Sequence, residues 1–146
     1  MAVLLALDFF SKWAASHGIF TGSMRELPLF TDVLGVSLSL TCVYNTGIAW
    51  GFLQGFAGGL FIVRVLMIGA LGVYLFFRKS NILSLVLVGA LGNVIDYVLY
   101  GSVVDFIHFR FWGYSFPVFN FADSYITIGA FLLFFSPSTQ KELNSI

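Results

Sequence analysis

Apolar residues gather into four long runs along the chain, and each run predicts a helix. They are "MAVLLALDFFSKWAAS" (a helix over about 2–16), "GLFIVRVLMIGALGVYLFF" (59–77), "ILSLVLVGALGNVIDYVLY" (82–100) and "FNFADSYITIGAFLLFF" (about 120–136). A helix that crosses a bilayer needs about 20 mostly apolar residues. The second and third runs meet that length, the fourth meets it by extending to about Ser136, and the first is short. A cleaved signal peptide would carry early Lys or Arg and an unbroken apolar centre. The first run has neither: Asp8 and Lys12 lie i,i+4 on one helix face, where they can pair. It is read as a retained helix, short of a few N-terminal residues. Pro137 is expected to end the fourth helix.

The segments between the runs, about 17–58 and 101–118, are patterned differently. "VLGVSLSLTCVYN" (33–45) and "VVDFIHFRFW" (103–112) partly alternate apolar with polar residues, as half-buried strands do. Trp50, Phe52, Phe106, Phe109, Phe111, Trp112, Tyr114, Phe116 and Phe119 crowd these segments, and aromatic rings favour the membrane–water interface. The expected fold class is an all-α membrane protein: four transmembrane helices with a small extracytoplasmic β-sheet at the membrane surface, in one integral membrane domain over 1–146. Lys and Arg collect on the cytoplasmic side of short loops. Arg78 and Lys79 between the second and third runs, and Lys141 after the fourth, therefore put both termini in the cytoplasm and the patterned segments outside.

Composition agrees with a membrane setting. Of the 146 residues 59% are hydrophobic and 10% charged, against roughly 25% charged in soluble domains. The net charge is zero and no basic stretch suggests nucleic acid. The single cysteine, Cys42, forms no internal disulfide and reads as a small buried apolar residue. His17 and His108 lie far apart with no zinc-ligand spacing, so neither a metal nor a cofactor is expected.

Against this apolar background the polar residues of the runs stand out: Asp8, Lys12, Arg64, Asn93, Asp96, Asn120 and Asp123, with Asp105 just before the last run. Ionisable groups within a membrane pair, face the bundle interior or mark function. Asn93 with Asp96, and Asn120 with Asp123, share the i,i+3 spacing that places both on one helix face. Lys12 and Arg64 are the cations available to Asp8 and Asp96. Helix-to-helix hydrogen bonding accounts for such groups equally well, and a solvated Asp105 beside a helix-starting Asp123 is the bland reading of the last pair. The sharper one brings Asp105 and Asp123 together. Two adjacent carboxylates share a proton, so that one takes a proton from water while the other protonates a scissile carbonyl. A small proton-coupled carrier, using its buried acids as a relay, is the non-enzymatic alternative.

Several motifs together resemble the type II (prolipoprotein) signal peptidases. "LDFFSKW" resembles that family's first-helix DQxxK, "YNTGIAWGFL" its NxGxAF-type motif, "GALGNVIDYVLYGSVVDFI" its GNxxDR followed by VxDF, and "FPVFNFADSYITIG" its FNxAD, in the family's order over nearly the whole chain. The resemblance implies an aspartyl endopeptidase of the bacterial inner membrane that cuts lipoprotein precursors before a diacylglyceryl-modified cysteine at the outer face, and that is inhibited by globomycin. It implies Asp105 and Asp123 as the catalytic acids. Asn45, Gly47, Asn93, Asp96, Asn120, Ala122, Asp8 and Lys12 would support the site or the substrate, with Arg64 a candidate cation beside them. Gly47 and Ala122 would leave room for substrate. Tyr97 stands where the family carries Arg, Phe9 where it carries Gln, and Trp50 where it carries Phe. The first removes a cation expected beside Asp96.

Overall fold

A computed structural model of the chain describes residues 1–18, 22, 25–46 and 57–136. Gly47, Trp50, Phe52, Pro137 and Lys141 lie outside the described residues. Four helices, α1 (Ala2–Ser16), α2 (Ala57–Phe77), α3 (Asn81–Tyr100) and α4 (Phe121–Phe134), accompany four strands, β1 (Glu26–Val33), β2 (Val36–Asn45), β3 (Val103–Phe111) and β4 (Tyr114–Ser115). The strands form one antiparallel sheet in the order β1-β2-β3-β4.

The all-α expectation with four transmembrane helices is thereby corrected. The fold is α+β. Among the described residues one helix, Asn81–Tyr100, is long and apolar enough to cross a membrane, while the apolar stretches Phe61–Phe77 and Phe121–Phe134 are shorter. The reason is length. At 1.5 Å per residue, the 14 residues of α4 rise about 21 Å and the 15 of α1 about 22 Å, against roughly 30 Å of hydrocarbon. The sheet is also larger than its two legible strand patterns. β1 holds Pro28, which the ladder tolerates because β1 is an edge strand, and β4 has only two residues.

Helix ends follow from local chemistry. The Ser80 hydroxyl accepts from the Leu83 amide to start α3, and Gly101, at φ 70°, ends it in the left-handed conformation that suits glycine. Glycines also set how closely α3 and α4 pack. A Cβ on Gly89 would run into the Ala122 carbonyl oxygen, and one on Gly129 into Val86.

The burial pattern is inverted relative to a water-soluble protein. Lys12, Asp8, Asp96, Asp105 and Asn120 are among the most buried residues, whereas Leu66, Met67, Phe76, Phe77, Phe131 and Phe134 are exposed. Large apolar side chains exposed in this way on α2 and α4 mark contact with a non-aqueous partner, and polar groups facing inward are the arrangement that lipid imposes.

Candidate active site

The polar interior is one connected network. The α1 pair comes first: the Lys12 ammonium lies 2.8 Å from Asp8 Oδ2, one helical turn away, and 2.9 Å from Asp96 Oδ2 on α3. Its third hydrogen bond, 3.0 Å long, goes to Asn93 Oδ1. The two acids are tied onward through backbone. Asp8 Oδ1 accepts from the Ala122 amide at 2.8 Å, and Asp96 Oδ2 from the Val104 amide at 3.1 Å. One buried cation therefore joins α1 to α3, and its two carboxylates reach α4 and β3.

Asn93 passes this order to the second half of the network. With its oxygen held by Lys12, its amide nitrogen donates to Asp123 Oδ1 at 2.8 Å. Asn120 precedes α4 and caps it. Its side-chain oxygen accepts from the Asp123 amide at 2.9 Å while Asp123 Oδ2 accepts from the Asn120 amide at 3.3 Å, a reciprocal capping box. Asn120 Nδ2 donates to Asp105 Oδ1 at 2.7 Å, and Asn45 Nδ2 to Asp105 Oδ2 at 3.0 Å. A single residue thus holds both Asp105 and Asp123. Antiparallel pairing of β2 with β3, Val43 opposite Asp105 and Asn45 opposite Val103, brings Asn45 to this point.

Asp105 is 2% exposed, so it is not the solvated loop acid of the bland reading. Burial pushes its carboxyl up to about 6; the like charge of Asp123 adds to the rise, and the hydrogen bonds from Asn45 and Asn120 oppose it. A carboxyl so placed keeps a proton under mildly acidic conditions, which is what a general acid needs. Asp123 also lines a cavity of about 510 Å³ with Arg64 and Asn93, whose other walls are Met67, Ile68, Leu71, Val86, Ala90 and Ile126. Arg64, Asn93 and Asp123 are thus the polar members of an otherwise apolar lining.

Of the residues singled out from sequence, Asp8, Lys12, Asn45, Asn93, Asp96, Asp105, Asn120, Ala122 and Asp123 all belong to this network. Arg64 is in the cavity wall, and no ion pair to Asp8 or Asp96 forms from it among the described residues. Ala122 packs against Gly92 and Gly89 of α3, so its small side chain serves helix approach. Asp96 has its cation in Lys12, whereas Tyr97 stacks on Phe61 of α2 with ring centroids 5.0 Å apart. Tyr97 thus takes no part in balancing its neighbour. Arg110 pairs with Glu26 at 2.6 Å. The amide and carbonyl of Val104, which meet Asp96 and Asn120, escaped the sequence reading because backbone groups leave no residue-type signal.

Fold and site together define a small α+β membrane protein built around two aspartates that accept hydrogen bonds from one asparagine. The family described as signal peptidase (SPase) II matches residues 1–137. The chain is 40% identical over 139 residues to a lipoprotein signal peptidase of Geobacillus thermodenitrificans (strain NG80-2), covering 91% of this chain and 83% of that protein. It is 40% identical over 125 residues to one from Chlamydia pneumoniae, covering 78% and 74%. Two solved structures, each described as a bacterial membrane enzyme structure by the in meso method, superpose with TM-scores of 0.75 (33% identity, 99% of this chain, 87% of that one) and 0.70 (37%, 90%, 85%). The chain belongs to the signal peptidase II family. It is a bacterial membrane enzyme, a peptidase of the aspartic type, and the carrier alternative is not favoured.

Proposed function

We propose that this peptidase removes the signal peptides of lipoprotein precursors by cutting before a diacylglyceryl-modified cysteine, with Asp105 and Asp123 as its two acids. The observation that carries this reading is Asn120, which donates to both carboxylates and so sets them as a pair. Water held between the acids gives a proton to Asp123 as its oxygen adds to the scissile carbonyl carbon. Asp105 protonates the carbonyl oxygen, and the resulting diol collapses as one hydroxyl returns a proton to Asp105 and Asp123 gives its proton to the leaving amine. The products are the signal peptide with a new carboxylate and the lipoprotein with a free α-amino group.

The acyl chains of the substrate account for the apolar cavity beside Asp123. Each buried CH₂ is worth about 0.8 kcal/mol, so lipid supplies most of the binding and precursors lacking it are poor substrates. The enzyme sits in the inner membrane with the site at the outer face, a reading in which Arg78 and Lys79 put the turn between α2 and α3 on the cytoplasmic side. Globomycin, a cyclic peptide, would compete for the same pocket. The test is cleavage of a lipidated precursor by purified protein. Asp105→Asn and Asp123→Asn each abolish cleavage while the protein stays folded; normal turnover by either variant overturns the pair.

A further inference from the structure

The sheet carries a second chain of polar side chains. Ser115 Oγ on β4 lies 2.7 Å from His108 Nε2 on β3, and His108 Nδ1 lies 2.9 Å from Glu26 Oε1 on β1. Ser39 donates to the same Glu26 oxygen, and Arg110 donates to Glu26 Oε2 at 2.6 Å. The Ser39 hydroxyl, then His108 and Arg110, hold the Glu26 carboxyl down to about 2. Facing a carboxylate, Nδ1 carries the imidazole proton, which leaves Nε2 to accept from the Ser115 hydroxyl. Hydroxyl, imidazole and carboxylate in this order are the parts of a nucleophilic serine triad, an arrangement defined by geometry and found on unrelated folds.

The sheet places these groups. A two-residue turn, Trp112 (φ 47°) and Gly113 (φ 83°), folds β4 back along β3 and sets Ser115 opposite Arg110. Ser115 is exposed while the His108 ring is 11% exposed, so the nucleophile is open and its base is sheltered. Asp105 and His108 are an odd number of positions apart on β3, and strand alternation sends their side chains to opposite faces. A cavity of about 260 Å³ opens over Glu26 and Arg110 between Phe30 and Leu38.

We propose that Ser115, His108 and Glu26 form a second hydrolytic site, separate from the aspartate pair and reactive towards carboxylic esters. Ser115 Oγ bonds to the ester carbonyl carbon as its proton passes to His108 Nε2. The bond from that carbon to the alcohol oxygen breaks, and the alcohol leaves with the proton. Water then adds to the acyl-serine with His108 as base, releasing the carboxylic acid and restoring the hydroxyl.

The experiment treats the full chain in detergent with a fluorophosphonate and maps the adduct by peptide mass spectrometry. Labelling at Ser115, lost in Ser115→Ala and slowed about 100-fold or more in His108→Gln, is the expected result. No adduct at Ser115, or equal labelling rates with and without His108, overturns the site. Both variants retain precursor cleavage, which shows that they fold; loss of cleavage in Ser115→Ala overturns the separation of the two sites.

Discussion

Lys12 and Asp96 form an ion pair of 2.9 Å whose side chains are 1% and 2% exposed. Asp8 shares the same ammonium at 2.8 Å. Removing the cation leaves two buried carboxylates facing each other, and breaking a buried pair costs about 3–5 kcal/mol. Lys12→Met is expected to lower the melting temperature sharply and to cut the yield of folded protein in detergent. Adding Asp96→Asn to Lys12→Met recovers part of the loss, measured by thermal unfolding of the single and double variants.

Asn120 caps α4 and donates to Asp105. Asn120→Ala removes a cap worth about 1 kcal/mol and the Nδ2 bond to Asp105, while the backbone amide that meets Asp123 remains. Its effect on kcat is expected to be far larger than its effect on stability, with KM for a lipidated precursor little changed. Equal fractional losses in kcat and folded yield would mean that the residue is a helix cap alone.

Asp105 provides a pH signature. Its carboxyl is raised from 3.8 to about 6 in the folded protein. Between those values the folded state holds a proton that the unfolded chain has lost, so stability falls as pH rises through the window, by up to about 1.4 kcal/mol per pH unit. Asp105→Asn does not titrate at this position. The melting temperature of the wild type minus that of Asp105→Asn is therefore expected to decrease from pH 4 to pH 6 and then level off.

Gly89 marks a close approach of α3 to α4, with the Ala122 carbonyl and Ile126 where a Cβ would stand. Gly89→Val forces the helices apart, and overpacking of this kind costs about 1–3 kcal/mol. Because Ala122 adjoins Asp123, the same shift displaces the acid, and cleavage is expected to fall together with stability. Gly69→Ala, on α2, has open space for its methyl and serves as the control.

The helices were legible as apolar runs, and α4 announced its start through Asn120 and Asp123. The number of membrane crossings was not, because apolar composition was counted where helix length decides: α1 and α4 are 15 and 14 residues long. β1 carries Pro28 and Asp32, residue types that strands disfavour, and β4 is too short to show alternation. For the site, the family motifs picked out residues that the structure draws into one network. Their pairing was beyond the sequence, since Lys12 and Asn93 meet across 81 positions. Arg64 looked the equal of Lys12 as a partner for Asp96 because residue type reveals charge and not direction. Tyr97 looked like a lost counter-ion for the same reason.

The capping box at Asn120 has a consequence for how the enzyme becomes competent. The bonds that begin α4 are also bonds that orient Asp123, so winding the first helical turn and arming the aspartate are one event. A chain with α4 frayed at that end has no half-built centre in which a lone acid waits for its partner. With Asp123 in its proposed role, the protease is expected to be silent until α4 has docked on Asp8 through the Ala122 amide.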